Sequence, residues 1–155
     1  MPETEILTFR PATTADLDDI VRLLANDPLG SQREQFSQPL PEAYVRAFEA
    51  IDADPNNELI VASAGVVIGV MQLTYLPSLT YQGSWRMQIE GVRIAEEWRS
   101  QGVGRKMFEW AIARARARGC RLVQLTSDKK RPDALRFYGS LGFAASHVGF
   151  KLRLN

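Results

Sequence analysis

Arg99-Ser100-Gln101-Gly102-Val103-Gly104 lies between an alternating apolar run and a helical pattern, and its reading decides the fold. The run before it, Met87-Gln88-Ile89-Glu90-Gly91-Val92-Arg93-Ile94, alternates as a strand with one buried face does. After it, Val103, Met107, Trp110, Ala111 and Ala115 recur at helical spacing as far as Gly119. A glycine turn that opens a helix after a strand presents free backbone N–H groups at the positive end of the helix dipole, a site suited to a phosphate or pyrophosphate. At Gly102 and Gly104 a side chain would hold the backbone away from a bulky anion. No Lys-Ser/Thr pair follows the second glycine, which excludes a P-loop, and no third glycine stands at the dinucleotide-fold spacing.

Downstream stands Asp133-Ala134-Leu135-Arg136-Phe137-Tyr138-Gly139-Ser140-Leu141-Gly142-Phe143. Together the Arg-x-x-Gly-x-Gly turn and this Ala-x-x-Phe-Tyr-x-x-Leu-Gly-Phe ending resemble the GCN5-related N-acetyltransferases. The resemblance is carried between Ile89 and Phe143. It implies acetyl-CoA as the acetyl donor, with the pyrophosphate on Arg99, Ser100, Gln101, Gly102, Val103, Gly104 and Arg105. It also implies a pantetheine arm paired with the backbone of Val92, Arg93 and Ile94, where the strand parts from its neighbour. A helix starting near Ala134 would flank that arm. Many members carry Asn where this chain has Arg131, so a cation here replaces an amide and can reach a CoA phosphate.

The same resemblance places Tyr138 near the thioester sulfur as the acid. A phenol titrates near ~10 and an alkyl thiol near ~8.5, so full proton transfer is uphill by roughly 2 kcal/mol. A strong hydrogen bond to the developing thiolate is the expected contribution. Glu90, on the strand just before the thioester segment, is the candidate base. A carboxylate of ordinary strength is far too weak to deprotonate an amine directly, so it would act through a water or by attracting the cationic substrate. A surface glutamate, or one ion-paired with Arg86 or Arg93, is the other reading. Strand alternation puts Glu90, Val92 and Ile94 on one face and Ile89 and Arg93 on the other.

Composition sets the outer bounds. The chain has 155 residues, 45% of them hydrophobic, enough for one domain over 1–155. Lys+Arg 19 against Asp+Glu 18 leaves a net charge of +1, so no global field points to nucleic acid. Arg114, Arg116, Arg118 and Arg121 read as a solvated face near a helix C-terminus. Cys120 is the only cysteine, which excludes an internal disulfide and a Cys-based zinc site; it reads as a buried filler. His147 has no partner at ligand spacing, so no metal is expected. Glu3 and Glu5 precede any apolar run, unlike a signal peptide, and no apolar stretch nears the ~18 residues of a membrane span. A cytoplasmic protein is expected.

Strands are expected at Ile6–Arg10, Leu59–Ala64, Val66–Leu76, Ser84–Ala95 (Gly91 a bulge), Arg121–Thr126 and Val148–Leu154. Helices are expected after Thr13 or Thr14, from Pro41 to Ala53, after Gly102 and from Pro132 to Leu141. The order β-α-α-β-β-β-α-β-α-β describes an α/β (α+β) domain around a mixed, mainly antiparallel sheet flanked by helices. Two functions stay open: transfer of acetyl to a primary amine of a small molecule or peptide, and acyl-CoA sensing without turnover. A homodimer is compatible with either.

Overall fold

The computed structural model describes residues 5–131 and 133–155. They form two compact units, Met1–Gln124 and Leu125–Asn155.

In the first unit β1 (Thr8–Pro11) is followed by a 3₁₀ turn, Thr14–Asp16, and α1 (Leu17–Ala25). A short α2 (Gly30–Arg33), not among the helices expected from the sequence, leads to α3 (Glu42–Ala53). Next come β2 (Asn57–Ser63), β3 (Val67–Pro77), a one-turn α4 (Thr80–Gly83) and β4 (Trp85–Ile94). A 3₁₀ turn, Glu96–Trp98, precedes α5 (Val103–Ala117), and β5 (Cys120–Leu125) follows. The sheet order is β1-β2-β3-β4-β5, antiparallel from β1 to β4. The crossover through α5 brings β5 in beside β4 and makes the sheet mixed.

Each face of the sheet has its own packing. Val61 and Val70 pack with Leu17, Ile20 and Val21 of α1 and Phe48 of α3. On the other face Ile60, Met71, Leu73, Met87 and Ile89 are buried, as are Val103, Met107, Phe108, Ala111 and Ala115 of α5. Phe9 meets Trp110 there at 6.0 Å between ring centroids. Trp110 itself is half-buried, at the edge of the stripe rather than in it, and Phe108 takes the buried place.

One expected alternation is overturned. Glu90 pairs with Gln72, but Arg93 pairs with Val70, so Gly91 and Val92 together face Met71. Gly91, at φ 63, supplies the left-handed conformation such a bulge uses. Cross-strand partners share a face. Glu90 and Arg93 therefore lie together on the α1 face, while Ile94, opposite Gly69, joins Ile89 on the α5 face. The extra residue, counted as ordinary strand, had inverted everything beyond it.

The basic cluster also divides. Arg116 and Arg121 are exposed, as a solvated face requires, but Arg114 and Arg118 turn to Glu58. Arg114 Nε donates to Glu58 Oε1 at 2.7 Å, and Arg118 lies 3.7 Å from the Tyr75 ring centroid. Burial raises the Glu58 carboxyl, yet hydrogen bonds from Arg114 and Tyr75 hold it below the ordinary carboxylate range. Burial, then the Glu58 contact, pushes the Tyr75 phenol up to about 12. Cys120 is half-buried rather than buried, and burial raises its thiol.

In the second unit α6 (Ala134–Ser140) is the one regular element among the described residues. The expected helix start at Pro132 lies outside them. No strand forms at Val148–Leu154: Val148, Phe150, Leu152 and Leu154 are exposed, so the apolar alternation is present without a partner to pair it.

Asp16 closes the entry to α1. It accepts Arg10 Nη1 at 2.7 Å and Nη2 at 3.0 Å, and the Thr13 N–H at 2.8 Å. The Arg10 hydrogen bond is the largest cause that lowers its carboxyl to about 2, from 3.8. A depressed acid stabilises the fold fully above its unfolded value and loses that contribution as pH falls through the folded one. Asp16→Asn is expected to cost about 1–2 kcal/mol near neutrality, discounted because Arg10 is partly exposed. The gap from wild type in chemical denaturation should close between pH 3.8 and about 2. A gap unchanged at pH 2 would contradict this.

Candidate functional site

β4 leaves the sheet at Ile94, and the chain turns twice before α5 begins. Ser100 (φ 61) and Gly102 (φ 82) are both left-handed, and Gly102 is the N-cap of α5. Lys106 N–H reaches back to the Gly102 carbonyl at 3.1 Å, closing the first helical turn. The N–H groups of Val103, Gly104 and Arg105 precede that bond, where a helix has no internal acceptor to offer them. Gly102 and Gln101 are exposed, Gly104 half-exposed. Gly104 lies within α5 and is not left-handed, so no backbone strain calls for a glycine there. The turn is pinned from below. Gln101 Nε2 donates to the Glu97 carbonyl at 2.8 Å, and Arg99 Nε to the Ile94 carbonyl at 3.1 Å.

That second bond describes the edge of β4. Ala95 N–H pairs with the Ile68 carbonyl of β3 at 2.7 Å, so the trans peptide sends the Ile94 carbonyl the other way, toward the β5 side. There it accepts a side chain. Two residues earlier the Val92 carbonyl likewise accepts Arg93 Nη1 at 2.7 Å. Both of these carbonyls, near the end of β4, thus accept an arginine side chain. Each carbonyl retains a second lone pair for a ligand amide.

Glu90 stands exposed on the α1 face, with Gln88 Nε2 at 3.5 Å from its Oε1. The ion pairs considered for it fall elsewhere: Arg86 bonds Gln124 and Thr80, and Arg93 pairs with Asp27. Glu90, Val92, Arg93, Ile94, Arg99, Ser100, Gln101, Gly102, Val103, Gly104 and Arg105 all belong to the first unit.

Arg131, Ala134 and Tyr138 belong to the second unit. Arg131 N–H bonds the Asp128 carbonyl at 3.0 Å, and Ala134 opens α6 behind Asp133, which is left-handed at φ 62. Tyr138 is half-buried between aromatic edges, 5.4 Å from the Phe137 ring and 6.0 Å from Phe143.

Two features escaped the sequence reading. Asp27, in the Asp27-Pro28-Leu29-Gly30 stretch after α1, is 3% exposed and pairs with Arg93 at 2.5 Å. A buried acid beside a turn gives no local sign of a partner so far along the chain. The Glu58–Tyr75–Arg114 network was also missed; its Glu58 and Arg114 line a cavity of about 480 Å³ with Phe48, Asp52, Asp54 and Arg118.

The sequence profile of the Acetyltransferase (GNAT) family matches residues 25–143. An aminoalkylphosphonate N-acetyltransferase of Salmonella typhimurium is 30% identical over 152 residues, covering 97% of this chain and 91% of that protein. A crystal structure from Bacillus halodurans C-125, described as a transcriptional regulator, is 55% identical with a TM-score of 0.94, covering 96% of this chain and all of that one. An Agrobacterium tumefaciens C58 structure described as an acetyltransferase is 30% identical with a TM-score of 0.78, over 94% of this chain and 99% of that one. With the family profile over most of the chain and the 30% identical N-acetyltransferase in agreement, this chain belongs to the GNAT family of N-acetyltransferases and transfers acetyl from acetyl-CoA to an amine.

Proposed function

We propose that the acceptor is a small polar primary amine, acetylated by direct attack while acetyl-CoA and amine are bound together. The observation that carries the reading is the α5 glycine turn lying beside a strand whose outward carbonyls take side-chain partners. The turn N–H groups from Gln101 to Arg105 hold the pyrophosphate, with the Arg99 and Ser100 backbone shaping the approach. The backbone of Val92, Arg93 and Ile94 receives the pantetheine, and an N–H there stabilises the thioester oxygen as charge develops. Arg131 meets a CoA phosphate, and Ala134 leaves room for the arm.

The amine lone pair attacks the thioester carbonyl carbon and the C–S bond breaks. Tyr138 donates a hydrogen bond to the leaving sulfur. Glu90 attracts the ammonium form and relays its proton through water. The 30% identical relative acts on aminoalkylphosphonates, amines that carry an anionic group, so acceptors of that kind head the panel. The reaction takes place in the cytoplasm, and residues 1–155 act as one domain.

A homodimer belongs to the reading. Val148, Phe150, Leu152 and Leu154 are 68%, 92%, 85% and 91% exposed on alternate positions, the pattern of a strand with one apolar face. A second copy offers that face an identical mate by two-fold symmetry. Phe150→Glu is expected to shift sedimentation equilibrium toward monomer. Wild type that stays monomeric at high concentration would refuse the dimer.

The Bacillus halodurans relative, described as a transcriptional regulator, favours a second reading, in which acyl-CoA is sensed without turnover. Thiol release separates the two. Wild-type protein with acetyl-CoA should release free CoA thiol in an amine-dependent way, with equal acetylated product by mass spectrometry. Tyr138→Phe should lower kcat by ~10²-fold or more with little change in KM for acetyl-CoA, since the hydroxyl acts on charge present only in the transition state. Tight acetyl-CoA binding without release across the panel would favour sensing, and a variant keeping half of wild-type kcat would leave Tyr138 a packing residue.

A further inference from the structure

The bulge turns Arg93 to the α1 side, where charge is costly. Its side chain is 9% exposed and that of Asp27 is 3%. A pair this far from water gains little over an apolar pair of similar volume, so stability is a weak reason to keep it. What the pair touches is more informative. Arg93 Nη1 holds the Val92 carbonyl, and because the peptide is planar, fixing that carbonyl also fixes the Arg93 N–H. Asp27 Oδ1 accepts the Leu29 N–H at 2.9 Å, and the Asp27 carbonyl accepts the Ser31 N–H at 2.8 Å. Gly30 packs so closely on α1 that a Cβ there would stand 1.9 Å from the Leu24 carbonyl oxygen, which leaves this segment little room to slide. One carboxylate thus joins the start of the α1–α3 connection to the peptide beside the bulge.

We propose that Asp27 is a positioning residue for acetyl transfer: it holds Arg93 on the Val92 carbonyl, sets the peptide that meets the thioester, and ties the α1–α3 connection to it. The proposal rests on β4 receiving the cofactor as described above. Asp27 touches no reacting atom. Its effect is on the angle at which the strand presents its N–H and C=O groups, and a small misalignment there slows transfer more than it weakens binding.

Asp27→Asn keeps an acceptor for Leu29 and removes the charge that holds Arg93. It is expected to lower kcat at least tenfold while the dissociation constant of acetyl-CoA changes less than threefold, measured well below the melting temperature. Because this variant leaves a buried guanidinium without the Asp27 carboxylate, a second removes both charges: Asp27→Leu with Arg93→Met. Replacing a buried pair by apolar side chains commonly preserves stability, so this double variant should melt near wild type yet keep the tenfold loss of kcat. A double variant that melts and turns over as wild type does would overturn the proposal, as would both variants failing to fold, which assigns the pair to stability alone. An inactive wild type would instead count against the acetyl-transfer reading.

Discussion

In β4, Gly91 and Val92 together occupy the place opposite Met71, and the rest of the site depends on that one extra residue. Strand side chains alternate with a period of two, so one inserted position exchanges the faces of all that follows. Without it Arg93 would point into the apolar layer under α5 and Ile94 toward α1. With it Arg93 reaches Asp27 and the Val92 carbonyl, and Ile94 fills the space against Gly69, where its Cδ1 would stand 3.0 Å from an added Cβ. Gly91 has open space around its absent side chain, so its requirement is the left-handed backbone and not the room.

The two ends of α5 differ in which ligand charge they suit. At the N-terminus, exposed Gly102 and the positive end of the helix dipole favour an anion. Fifteen residues carry the helix ~22 Å to its other end, where the dipole is negative. There Arg114 and Arg118 are held by Glu58, and Asp52 and Asp54 line the same cavity. Those carboxylates repel a phosphate and have already claimed the guanidiniums. The cavity holds about 480 Å³, but its lining disfavours an anionic ligand.

What was legible in the sequence was local. The Gly102–Gly104 turn, the helix entry at Thr13, the Gly91 bulge and the strand pair across Gly65 each carry their own signal, and each lies where its residues indicated. What was lost was arithmetic over distance. Naming Gly91 as a bulge without shifting the count beyond it misplaced Arg93. Asp27 and Glu58 take their meaning from arginines that only the fold brings near. At Val148–Leu154 the alternation is real, but a strand needs an edge to pair with, and pattern alone does not provide one.

The central claim is that acetyl-CoA is held by backbone at the α5 turn and along the end of β4. Amide chemical shifts of ¹⁵N-labelled protein, followed as CoA is added, test it directly. The largest changes are predicted at Gln101, Gly102, Val103, Gly104 and Arg105 and at Val92, Arg93 and Ile94, saturating together with one dissociation constant. Amides that stay unmoved in both stretches, with the shifts gathered instead around Glu58, Arg114 and Arg118, would contradict the account.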